Sequence, residues 1–290
     1  MKQAPNVLQF LESQREAMID LLSRLVAAES PSTSPEAQAA PLTILWEALD
    51  EIGFAVKVLP GRKSGGHLLA QRKGSQKNNG TPQQLLVGHS DTVWPMGTLK
   101  EMPLVVEDNV IRGPGVFDMK GGLTQMVFAL KAVAELGLDL AVEPLIFVNS
   151  DEEIGSKESR SHIVRLAQQV QRAFVLEPAL GLTGKLKTAR KGVGSFTIVV
   201  KGQAAHAGLD PDKGISAVLG LSYIIQELHA YNDLEKGISV NVGLIEGGEQ
   251  TNVIAPQSQA KVDDRVPTTA DAQQLQEVIL NHSSPMEGIT

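Results

Sequence analysis

The stretch "LLVGHSDTVW", residues 85–94, opens as an apolar run and then sets an imidazole and a carboxylate two positions apart, His89 and Asp91. A short apolar run that gives way to polar groups reads as a buried strand reaching the rim of a sheet. In an extended chain the side chains at i and i+2 share a face, so these two groups can converge on one point or on each other. That geometry suits a metal site.

Elements read outward from this strand predict an α/β arrangement. Upstream, Leu11, Met18, Leu21, Leu22 and Leu25 recur at helical spacing and predict an amphipathic helix over 8–28, ended by the segment Pro31 to Pro35. A second helix carries Leu42, Leu45, Leu49 and Ile52 and stops at Gly53; strands at 54–59 and 67–72 and the polar loop "KGSQKNNGTP" follow. Downstream of the glycine-rich "GPGVFDMKGG" come a helix near 120–136, a buried strand at 144–150, a helix near 159–170 and the strand "AFVLEP" at 173–178. Strands alternating with helices of this length predict a mostly parallel sheet.

The pattern changes after Gly192. In "GSFTIVVK", residues 194–201, Phe196, Ile198 and Val200 share one face, as in a half-buried strand of an antiparallel sheet. A helix near 213–231, strands near 238–246 and 258–264 and a helix near 271–281 complete a βαββα order, one strand short of a split βαβ, ferredoxin-like unit. The expected organisation is therefore an α/β domain over 1–190 and an α+β domain over 191–290, in agreement with the size prior for 290 residues.

Composition narrows the function classes. With 42% hydrophobic and 20% charged residues the chain can bury a sizeable core, and its net charge of −7 gives no electrostatic reason to expect nucleic acid or an anionic membrane as partner. It has no cysteine, so any metal must be held by His, Asp and Glu. Glu12, Arg15, Glu16 and Asp20 interrupt the apolar positions of the N-terminus, which lacks the apolar core of a secretory signal, and no stretch reaches membrane-span length. The default expectation is a cytoplasmic protein.

His89 with Asp91, Asp118 in "GPGVFDMKGG", Glu152 and Glu153 in "NSDEEIGS" and Glu177 in "VLEP" all fall just past a strand or in a glycine-rich loop. In open α/β sheets that rim binds ligands. Adjacent residues leave the backbone in different directions, so one of Glu152 and Glu153 can hold a metal while the other faces a water whose proton it takes. The glycines around Asp118 permit a close approach of its carboxylate to two ions. Taken singly, each feature has an ordinary reading: a satisfied structural histidine, a solvated acidic turn at a helix N-terminus, a glycine turn.

Together "GHSDTVWPMGTL", "GPGVFDMKGG", "DEEIGS", "VLEP", "ARKGVG", "AAHAGLDPDKG" and "NVIAP" make the chain similar to peptidase family M20, and within it to the glutamate carboxypeptidase branch, from about residue 8 to the last residue. The resemblance implies two divalent ions, zinc first, with cobalt or manganese as alternatives. His89 and Glu177 would bind one ion, Glu153 the other, and Asp118 would bridge them. Asp91 would fix the His89 ring, with direct metal contact as the alternative. Glu152 would be the general base. The second domain would dimerise and cover the site; His206 in "AAHAG" would reach the partner's active site and stabilise an oxyanion, unless it is a structural turn residue. Asn252 and Arg265 would help to hold the substrate's carboxylate, although "VDDRV" also suits a surface ion pair for Arg265.

Family members continue further, returning to the first domain with its last strands and a histidine that completes the second metal shell. The chain is accordingly expected to be a truncated form, lacking that part of the first domain and the last strand of the second, and His282 lies in the wrong domain context to substitute. The resemblance implies a small peptide or N-acyl amino acid as substrate and a carboxypeptidase releasing C-terminal glutamate. An N-acyl-amino-acid deacylase is the alternative within the same chemistry, and a non-catalytic dimerising protein the alternative outside it.

Overall fold

The structure, a computed structural model, describes residues 4–74, 81–181, 183–282 and 284–290. It divides into two compact units, Met1–Gly184 and Lys185–Thr290, a few residues before the boundary expected at 190.

Unit 1 runs α1 (Ala4–Ser13), α2 (Arg15–Ala27), α3 (Ala39–Glu51), β1 (Phe54–Leu59), β2 (His67–Arg72), β3 (Gln83–His89), β4 (Val105–Glu107), β5 (Val110–Arg112), α4 (Gly121–Glu135), β6 (Glu143–Asn149), α5 (Arg160–Ala167) and β7 (Arg172–Val175). The single helix expected over 8–28 is two helices, with a break at Gln14 (φ −94°, ψ 7°). Of the polar loop expected after β2, residues 75–80 lie outside the described residues. The five-stranded sheet has the order β1-β2-β6-β3-β7. β3 runs parallel to β6 and β7, as an α/β fold requires, while β2 runs antiparallel to β1 and to β6. The sheet is thus mixed on one side, because the loop from Leu59 to His67 is long enough for a hairpin and too short for a helical crossover.

The central strand β6 is covered on both faces. Its Ile146 and Val148 join Leu25, Leu45, Leu68, Leu123 and Val127 of α2, α3, β2 and α4, while Leu145 and Phe147 join Leu85, Val87 and Leu166 on the other side. Burial on both faces explains why "PLIFV" is uninterrupted rather than alternating. Helix α4 presents Leu123, Met126, Val127 and Leu130 at i, i+3, i+4, i+7 to this core. Its second residue must be Gly122: a Cβ there would lie 2.0 Å from the carbonyl oxygen of Leu176, so the glycine lets the start of α4 touch the chain just before Glu177.

Unit 2 runs β8 (Gly192–Lys201), α6 (Ala217–His229), β9 (Ser239–Gly247), β10 (Gln257–Val266) and α7 (Thr269–Leu280). Its antiparallel sheet has the order β8-β10-β9. Phe196, Ile198 and Val200 face a core with Leu221, Ile224 and Leu228 of α6 and Leu275 and Ile279 of α7. Both helices start at hydroxyl caps: Ser216 accepts from the Leu219 N–H and Thr268 from the Asp271 N–H. Thr290 exchanges two backbone hydrogen bonds with Lys201 at 2.7 and 3.0 Å, beside Ile289 packed on the core. No helix among the described residues is long and apolar enough to cross a membrane.

Candidate metal centre

His89 is the last residue of β3 and is 1% exposed. Its Nδ1 donates to the backbone oxygen of Asp91 at 2.9 Å, which leaves Nε2 facing outward from the rim. There Nε2 meets carboxylates: Asp118 Oδ1 at 3.1 Å, Glu177 Oε1 at 3.5 Å and Glu152 Oε2 at 3.9 Å. Burial pushes the His89 pKa down, yet hydrogen bonds to Asp118, Asp91 and Glu177 override it and raise it to about 12.

Each acid reaches this point from a different element. Asp118 sits in the turn Val116–Lys120, which leaves helical geometry at Asp118 (φ −120°, ψ 103°) after the left-handed Gly115 (φ 70°). Glu152 and Glu153 follow β6, and Glu177 follows β7. One donor atom from each of His89, Glu152 and Glu177 lies within 4.8 Å of the others, and so does one from each of His89, Asp118 and Glu153. Burial raises the Glu153 pKa to about 7, with repulsion from Asp118 and Glu152 adding to it and His89 opposing. Glu152 is raised too, by burial first and then by Glu177, Asp91 and Asp118.

The structure therefore brings together His89, Asp118, Glu152, Glu153 and Glu177. It also adds Glu152 to a potential metal triad, a role distinct from that of the base expected of it. Asp91, fully buried, is in neither triad. Its carboxylate is taken by Ser32 Oγ at 2.6 Å, by the N–H groups of Glu152 and Glu153 at 3.2 Å each, and by His89 Nδ1 at 3.5 Å. Burial would raise its pKa, but the hydrogen bonds from His89 and Ser32 outweigh this and lower it.

The residues fit a pair of divalent ions. The donors are one imidazole nitrogen and carboxylate oxygens, the set that suits zinc, manganese or cobalt in a site without sulfur. Four acids face one another around a single imidazole, and Glu152 and Glu153 are both raised, by burial first and by repulsion between the carboxylates second, an environment that a bound cation would relieve.

Unit 2 holds the other three residues singled out in the sequence. His206 is exposed; its Nδ1 accepts from the N–H groups of Gly208 and Leu209 at 3.1 and 3.2 Å, so the proton of the neutral ring sits on Nε2. Asn252 is beside it, its backbone oxygen accepting from the Ala207 N–H at 3.0 Å. Arg265 is not with them: it lies near the far end of β10 and is engaged by Asp263 through Nε at 2.9 Å and Nη2 at 3.1 Å. His282 stands 2.8 Å from Glu227 within unit 2.

Sequence reasoning passed over Ser32, Asp151 and Lys120. Ser32 lay in a segment read only as a helix terminator, and a hydroxyl that steadies an aspartate leaves no spacing signature. Lys120, 1% exposed, sits two residues from Asp118 and donates to Ala28 O at 3.0 Å; burial lowers its pKa to about 8. Its signal was present as an apolar flank, since a lysine preceding "GGLTQMVF" stands where the helix enters the core.

Residues 188–286 match the model of the peptidase dimerisation domain. Over 269 residues the chain is 30% identical to carboxypeptidase G2 of Pseudomonas sp. (strain RS-16), an alignment covering 92% of this chain and 64% of that enzyme. It is 26% identical to acetylornithine deacetylase of Proteus mirabilis (strain HI4320), covering 93% of this chain and 72% of that one. Among solved structures, the M20 family metallo-carboxypeptidase Sso-CP2 of Sulfolobus solfataricus superposes with a TM-score of 0.66 at 16% identity, covering 96% of this chain and 77% of that chain. Residues 188–286 are therefore similar to a peptidase dimerisation domain, and the chain shares its fold with solved M20 family structures, while spanning 64% of the length of carboxypeptidase G2.

Proposed function

We propose that the protein is a metal-dependent amidohydrolase that cleaves an amide bond next to a free carboxylate, as a carboxypeptidase releasing C-terminal glutamate. The convergence of Asp118, Glu152, Glu153 and Glu177 on the His89 ring carries this reading. His89 and Glu177 would hold one ion, Glu153 a second, and Asp118 both. Bound ions supply a Lewis acid for the substrate carbonyl and lower the pKa of water.

The chain's own groups do the rest. Glu152, whose side chain is 46% exposed, is open to both water and substrate, and its raised pKa suits a group that takes a proton from water and returns it to the leaving amine. Asp91 fixes the His89 ring and the backbone of Glu152 and Glu153 together. Unit 2 pairs two copies of the chain, and the exposed Nε2–H of His206 is a donor for a developing oxyanion in the partner's site, with Asn252 beside it. Arg265 would have to exchange Asp263 for the substrate's carboxylate.

Support for glutamate comes from the 30% identity to carboxypeptidase G2. The 26% identity to an acetylornithine deacetylase favours a second reading, deacylation of a small N-acyl amino acid. Rates on N-acyl-glutamates, N-acetyl amino acids and dipeptides with zinc present separate the two. Preference for the N-acyl-glutamates supports the first, preference for the N-acetyl compounds the second, and hydrolysis of none of them rejects both.

A further inference from the structure

The loop from Asp151 to Ser159 carries Glu152 and Glu153, and it is closed by a carboxylate for which the proposed reaction has no use. Asp151 is 1% exposed. Its Oδ2 accepts from the N–H groups of Glu158 at 2.7 Å and Ser159 at 3.1 Å, and its Oδ1 accepts from Asn149 Nδ2 at 3.2 Å. A carboxylate out of water is tolerated only when donors replace its hydration. Here the donors come from the end of β6 and from the start of α5, so one side chain ties together the two ends of the loop.

The loop within is tight. Gly155 N–H donates to Glu152 O at 2.7 Å and Ser156 N–H to Asp151 O at 2.8 Å, with Gly155 and Ser156 at φ 90° and 51°. A serine in the left-handed region persists only where its surroundings hold it there. Glu158 extends the brace outward: its carboxylate accepts from the N–H groups of Arg62, Lys63 at 3.2 Å and Ser64 at 3.0 Å, and from Ser64 Oγ at 2.8 Å. On the opposite side Asp91 holds the N–H groups of Glu152 and Glu153.

We propose that Asp151 is a positioning residue: by closing the loop it sets the directions in which Glu152 and Glu153 leave the backbone, and Glu158 anchors that loop to the β1–β2 connection. Its kinetic consequence rests on the metal-hydrolase reading given above; its effects on loop order and on ion binding do not need turnover. Asparagine at 151 would place an amide where Oδ2 now accepts two N–H groups.

The test is D151N, with D151E as the conservative variant, followed by amide hydrogen exchange, by zinc titration and by kinetics on an N-acyl-glutamate. D151N is expected to speed exchange at Glu158 and Ser159 at least about tenfold and to weaken zinc binding about 10- to 100-fold, the usual cost of losing an outer support of a metal site. It should lower kcat with KM changed less than about twofold, and D151E should recover part of each loss. Wild-type exchange and zinc affinity in D151N would overturn the proposal. Should D151N fail to fold, E158Q decides: weaker zinc binding supports the brace, and unchanged zinc binding rejects it. A wild-type protein that binds zinc without hydrolysing anything would reject the functional reading alone, because exchange and titration still report on Asp151.

Discussion

His89 and Asp91 show what a two-residue spacing does at a strand end. The same-face rule put both groups at one place, and in the structure they meet through Nδ1 while Nε2 is left for the acids. The spacing was legible in the sequence; Ser32, which completes the arrangement from 59 residues away, was not. S32A removes a 2.6 Å hydrogen bond to a buried carboxylate, worth about 1.5–3 kcal/mol. We expect thermal unfolding of S32A to show a loss of that order, with zinc affinity lowered through His89. The proposed base is tested by E152Q, which should reduce kcat about 100- to 10,000-fold while binding zinc as the wild type does. Loss of zinc in E152Q would instead assign Glu152 to the His89–Glu177 triad.

At the scale of elements, most helix and strand positions followed from periodicity, because each core face repeats at 3.6 or 2 residues; the break at Gln14 and the short hairpin of β4 and β5 did not. Contacts between elements did not. Nothing local in "KGGLTQ" announces that Gly122 lies against the Leu176 carbonyl. G122A would force α4 and the segment before Glu177 apart, a case of overpacking that costs about 1–3 kcal/mol and displaces Glu177 from His89. Urea unfolding and zinc titration of G122A should both report the damage, whereas Gly137→Ala, which meets no neighbouring atom and carries only the backbone strain of φ 59°, should lower stability and leave zinc binding intact. The brace at Glu158 predicts a pH dependence. Burial would raise this carboxyl, but hydrogen bonds from Arg62, Ser64 and Lys63 bring its pKa down from 4.5 to about 2. A lowered acid stabilises the fold above its unfolded pKa and stops doing so as the proton binds. Stability from Glu158 is therefore present above pH 4.5 and lost as pH falls toward 2. Unfolding measured across that window should be steeper in the wild type than in E158Q.

Across the whole molecule, the α/β half and the βαββα half were both visible as a change of pattern near Gly192, while the mixed character of the first sheet was not. The hairpin of β1 and β2 carries the same apolar residues as a parallel strand would, and only the short connection from Leu59 to His67 betrays its direction. The two units have separate cores, and every proposed metal ligand lies in unit 1. An ion that binds the folded state stabilises it by mass action, about 2.7 kcal/mol at a free concentration 100 times Kd. For a unit of this size each kcal/mol moves Tm by about 2–4 °C, so zinc should raise the transition of unit 1 by roughly 5–11 °C. A unit whose described residues contribute no ligand should not respond. Calorimetry with and without zinc, on the wild type and on H89A, checks this: one transition should move in the wild type and neither in the variant. Equal shifts of both transitions, or a shift that survives H89A, would mean that the ions bind somewhere other than the rim where β3, β6 and β7 end.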